Sequence, residues 1–112
     1  MDEIKPIEIK KVKRHEPLES TISTKIIRYL NAIPGCKAVK RHQGGANNRG
    51  DADIFGCINS RHFEFEVKRR NKKLTPLQLT KQKEWEIVGS IVGRVESIDD
   101  IKSIFRMHKI YI

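Results

Sequence analysis

A chain of 112 residues with 23 Lys and Arg against 14 Asp and Glu carries a formal charge of +9. That length suits one compact domain and leaves no room for a second core. No apolar run reaches the roughly 18–20 residues of a membrane span, and the charged start Met1–Lys5 does not read as a secretory signal. Two cysteines, Cys36 and Cys57, without CxxC spacing argue against a disulfide framework or a structural zinc. The composition predicts a small, soluble, cytoplasmic domain with a polyanionic partner, most often nucleic acid. It does not separate a binder from an enzyme.

In chain order, residues 1–16 mix alternating Ile7, Ile9 and Val12 with charges and read as an arm or edge strand ahead of the domain at 17–112. Pro17 suits a first helical position, and Leu18, Ile22, Ile26, Leu30 and Ile33 recur at helical spacing until Pro34-Gly35 stops them. A short strand over 36–41 leads into a glycine- and asparagine-rich loop, 43–50. Two strands are predicted over 51–58 and 61–68; in the second, Phe63, Phe65 and Val67 alternate with His62, Glu64, Glu66 and Lys68. Thr75-Pro76-Leu77-Gln78 opens a second helix that ends near Val88, with Gly89 after it. A strand over 90–95, a helix from Ser97 and a last short strand over 109–112 complete the order. The class is α/β.

The charge is uneven. Residues 37–50 hold four basic residues and no acid, and residues 61–73 hold six against two acids. Among these acids lies the informative pattern. Asp51 and Asp53 share one strand face, as do Glu66 and Lys68. A two-residue turn at Asn59-Ser60 sets Asp53 opposite Glu66 and Asp51 opposite Lys68; a four-residue loop would pair Asp53 with Glu64 instead. Opposed carboxylates destabilise a sheet unless something neutralises them, and carboxylate oxygens are what Mg²⁺ takes. The bland alternative is a solvent-facing acidic pair balanced by Lys68, Arg69 and Arg70. Glu19, in the first turn of the first helix, is either a third acid for the site or a partner of the helix dipole. Gln78 either places a water or phosphate, or closes a capping box with Thr75. The four histidines have no metal-ligand spacing, and Trp85 reads as a core or dimer contact.

Glu19, Gly50-Asp-Ala-Asp53-Ile, Glu66-Val-Lys68 and Leu74-Thr-Pro-Leu-Gln78, in that order, resemble the VRR-NUC (virus-type replication–repair nuclease) family of the PD-(D/E)xK nuclease superfamily. The resemblance covers residues 17–96. It implies a restriction-endonuclease-like core, a mixed β-sheet flanked by helices in the order α-β-β-β-α-β-α, and a Mg²⁺- or Mn²⁺-dependent phosphodiesterase acting on DNA. Position by position it implies Glu19, Asp53, Glu66 and the Val67 carbonyl as metal ligands, Lys68 as the catalytic lysine and Gln78 as the glutamine after the motif. Ala52 stands where family members often carry proline, so Asp51 stays open as the alternative ligand. Stand-alone, phage-encoded members resemble Holliday junction resolvases and work as homodimers. With no appended module this chain looks like that kind, which would act on branched DNA in the host cytoplasm. Lys40, Arg41, Asn48, Arg49, Arg69, Arg70, Lys72 and Lys73 would then grip phosphates. The rivals are a flap- or nick-specific nuclease of the same fold and a non-catalytic basic nucleic-acid-binding module.

Overall fold

The computed structural model describes residues 17–42 and 49–112; the arm over 1–16 and Asn48 lie outside the described residues. Helix α1 spans Glu19–Asn31. It begins later than Pro17 because Leu18 is extended and serves as N-cap, its carbonyl accepting from the N–H groups of Thr21 and Ile22 at 3.0 and 3.1 Å. Ile26 and Leu30 on its inner face are fully buried. Strands β1 (Cys36–Lys40), β2 (Ile54–Ile58) and β3 (Arg61–Val67) follow as an antiparallel meander. Helix α2 (Pro76–Ile87) then crosses to β4 (Ile91–Val95), which runs parallel to β3, and α3 (Ile98–Met107) closes the order. The sheet reads β1-β2-β3-β4.

Asn59 and Ser60 both adopt positive φ, 49° and 70°. This is the two-residue hairpin turn whose twist matches the sheet. It pairs Ile58 with Arg61 and Ile54 with Phe65, which excludes the four-residue loop. Strand β2 starts at Ile54, three residues later than expected, because residues 51–53 leave the β2–β3 ladder. Gly50, at φ +79°, begins this departure; a Cβ there would sit 2.5 Å from Leu77 Cγ, so only glycine lets the segment lie down against α2.

Phe63, Phe65 and Val67 face α1 and α3, where Phe105 meets the two phenylalanine rings at 6.2 and 5.9 Å between centroids. The opposite face of β3, carrying Glu64 and Glu66, is covered by α2. That face is polar yet buried, which alternation alone does not reveal. The strand expected over 109–112 does not form. Lys109 takes φ +60°, its N–H reaches Arg106 O at 2.9 Å and Ile110 N–H reaches Phe105 O at 2.8 Å. These are the bonds of a Schellman motif, which turns Ile110 back onto the core. At the β1 edge, the Asn31 amide donates to Ala38 O at 3.0 Å and accepts from Ala38 N–H at 2.8 Å. No helix among the described residues is long and apolar enough to cross a membrane.

Candidate active site

Glu66 lies at the centre of the site, one residue from the end of β3 and 6% exposed. Its Oε2 accepts from Gln78 Nε2 at 3.1 Å and lies 3.8 Å from Lys68 Nζ. The capping box of α2 fixes that glutamine. Gln78 N–H donates to Thr75 Oγ1 at 3.1 Å, and Gln78 Oε1 accepts from Thr75 N–H at 2.9 Å. With its oxygen committed to the cap, the amide can present only its NH₂ to Glu66, so the capping and site roles coexist. Asp53 arrives from the segment before β2, its Oδ2 accepting from Val67 N–H at 2.9 Å. Glu19 Oε2 accepts from Arg69 N–H at 3.2 Å, tying the start of α1 to the chain just after β3.

Burial, and after it the charge of the adjacent Asp53 carboxylate and a hydrogen bond to it, push the Glu66 carboxyl up from 4.5 to about 8; Lys68 opposes this and Glu19 adds to it. Glu66 Oε1 is buried and meets no hydrogen-bond donor among the described residues. A buried carboxylate oxygen without a donor, beside a second carboxylate, is short of positive charge even with Lys68 nearby. A divalent cation with oxygen preference supplies that charge, and the donor set fits one. Among the described residues no three His, Cys, Asp or Glu side chains gather closely enough to form a ready-made cage. Mg²⁺ does not require one, since it keeps several waters and binds through one or two carboxylates. Glu19 contributes charge to the neighbourhood while its Oε2 is engaged by Arg69 N–H. Asp51 does not face Lys68; it turns to α2, with Oδ1 3.6 Å from Lys81 Nζ, because the segment carrying it has left the sheet.

The basic residues divide into two kinds. Lys40, Arg49, Arg70, Lys72 and Lys73 are exposed. Arg94 donates to the carbonyls of Lys72 and Arg69 at 2.6 and 3.2 Å and shapes the turn that displays several of them. Arg41, by contrast, points inward and binds both oxygens of Glu64 at 2.7 and 2.9 Å. Its guanidinium lies 4.5 Å over the Phe55 ring. The Arg41–Glu64 pair, Arg94 and Lys81 escape sequence reasoning. The polar alternation of β3 marks Glu64, but nothing local marks its partner.

No family model matches the chain, and no curated protein sequence matches it. Solved structures do. One described as "VRR_NUC domain protein" superposes with a TM-score of 0.65 at 14% identity, covering 84% of this chain and 89% of its own. Another, described as "VRR_NUC domain", gives a TM-score of 0.62 at 22% identity, covering 84% of this chain and 97% of its own. The chain has the VRR_NUC fold. The mixed sheet and the helix order implied by the sequence resemblance are those of this fold.

Proposed function

We propose that the chain is a divalent-metal-dependent nuclease of the PD-(D/E)xK type, with residues 17–112 as its nuclease domain. The observation that carries this reading is Glu66, whose Oε1 is buried without a donor among the described residues while its Oε2 meets Gln78 and lies near Lys68, with Asp53 alongside. Likeness of fold to VRR_NUC domains supports it. Asp53, Glu66 and the Val67 carbonyl would hold Mg²⁺ or Mn²⁺, which supplies Lewis acidity and an activated water when bound. The chain's own groups do the rest. Lys68 brings an ammonium to the point where negative charge grows on the phosphoryl oxygens and orients the attacking water. Gln78 holds Glu66 in one rotamer. Glu19 anchors Arg69, whose exposed neighbours Arg70, Lys72 and Lys73 take the phosphates of the strand being cut.

Four-way DNA junctions are the proposed substrate and a homodimer the proposed form, since symmetric cutting of two strands needs two sites related by a two-fold axis. Ile87 and Val88 at the end of α2, 83% and 73% exposed, support a contact between copies. The test is incubation of labelled four-way, flap and linear duplexes with and without Mg²⁺ or Mn²⁺. Metal-dependent cutting of the junction is expected, with Glu66→Gln and Lys68→Ala proteins binding the junction without cutting it. Binding without cutting under every divalent metal would instead leave a non-catalytic module.

A further inference from the structure

Asp53 has to be held in place, and the regular β2–β3 ladder does not do it. Regular β2–β3 pairing ends at Ile54, so the residue that carries the carboxylate lies just outside the ladder. Val67 N–H holds the Asp53 carboxylate itself at 2.9 Å, and the peptide that carries it is held by Arg41. Arg41 N–H donates to Asp53 O at 2.7 Å, and Arg41 Nη1 donates to Ala52 O at 3.0 Å. The same guanidinium grips Glu64 through two parallel bonds, Nη1 to Oε1 and Nη2 to Oε2. Glu64 is held from its other side by His62, with Nε2 to Oε2 at 2.7 Å, and His62 stacks on Trp85 of α2 at 4.6 Å between ring centroids. Glu64 is 1% exposed and stands two residues before Glu66 on the same strand face. One planar side chain thus links the end of β1, the peptide before Asp53 and the strand that carries Glu66.

From this geometry we infer that Arg41 and Glu64 are positioning residues, a clamp that sets Asp53 against Glu66 so that the two can share one divalent cation. This rests on the reading of Asp53 and Glu66 as metal ligands. Arg41 therefore serves the carboxylates and not the DNA backbone. The arrangement suits arginine and not lysine, because only a planar fork can hold a carboxylate with two parallel bonds and still donate to a carbonyl.

The experiment measures Mn²⁺ binding directly, by calorimetry on the whole chain without DNA, alongside thermal melting. Two variants are compared with wild type. Arg41→Lys keeps the charge and loses the fork. The double variant Arg41→Met with Glu64→Met removes the pair together, an exchange that buried ion pairs tolerate in other folds. Residues that orient metal ligands without touching the metal are worth about 10–100-fold in metal affinity, and a weakening of Mn²⁺ binding in that range is expected for the double variant at an unchanged cooperative melt. Cleavage should then need more Mn²⁺ for half-maximal rate, with KM for DNA unchanged and kcat largely recovered at saturating metal. A merely structural pair would not produce that split. If the cooperatively folded double variant binds Mn²⁺ like wild type, the clamp is wrong and the nuclease reading stands. If wild type itself takes up no Mn²⁺, the metal site falls and the clamp falls with it.

Discussion

Glu64 and Glu66 stand two residues apart on β3, point to the same side of the sheet and are buried under the same helix. Their surroundings differ completely. Glu64 has both oxygens engaged by Arg41 and a further bond from His62. Glu66 has one oxygen on Gln78 near Lys68, a second carboxylate alongside, and an Oε1 with no donor among the described residues. The first carboxylate is neutralised by the protein. The second is not, and it is the one the proposed function assigns to a metal. Burial by itself does not mark a functional acid; the informative quantity is the compensation each buried charge receives.

The contrast breaks most readily by removing each charge in turn. Glu64→Gln takes its main counter-charge from the half-buried Arg41 guanidinium, which should cost about 1.5–3 kcal/mol of stability in denaturant titration. Glu66→Gln relieves a repulsion and should leave stability unchanged or raised, while junction cleavage falls about a hundredfold or more. If both substitutions destabilise equally, the two carboxylates are not different in kind.

A pH series sharpens the same point. Glu66 is held at about 8 when folded, against 4.5 ordinarily. A carboxyl raised in this way keeps its proton in the native state across that interval while the unfolded chain loses it. Its contribution to stability is therefore full below about 4.5 and is lost as the pH rises toward about 8. Thermal melts in a chelator from pH 5 to 8 should show this decline in wild type and lack it in Glu66→Gln. Mg²⁺ should restore stability most at the upper end of the range.

Smaller effects follow at the periphery. Gln78→Ala loses the reciprocal cap and the bond to Glu66, about 1 kcal/mol of stability. Gln78→Glu keeps the cap and sets a like charge on Glu66, so its melting point should rise with Mg²⁺ more than that of wild type. Least of all, Lys72→Ala and Lys73→Ala should each lower the salt dependence of junction binding by about one phosphate, with log K against log salt measured by fluorescence anisotropy. Arg41→Met/Glu64→Met should leave that slope alone, since Arg41 is already bonded to Glu64.

Much of this was legible in the residues because it depends on neighbours in the chain. The order of helices and strands, the Asn59-Ser60 turn and the Thr75–Gln78 capping box are local patterns, and the turn in turn brings Asp53 toward Glu66. What escaped depends on partners far along the chain or on chain reversals. Arg41 lies 23 positions from Glu64 and sits among basic residues that look the same in sequence. Asp51 meets Lys81 only because 51–53 leave the ladder, and Ile110 looked like strand until the Schellman motif folded it back.

The Asn31 amide on Ala38 has a consequence for assembly. With both polar groups of Ala38 occupied, and the N–H of Cys36 bonded to Ile33 O, the middle and start of β1 offer little for another strand to pair with. Two copies cannot merge their sheets through β1 without first prising that asparagine away. In the proposed homodimer the contact is thereby directed to the other edge of the sheet, toward β4 and the exposed apolar end of α2.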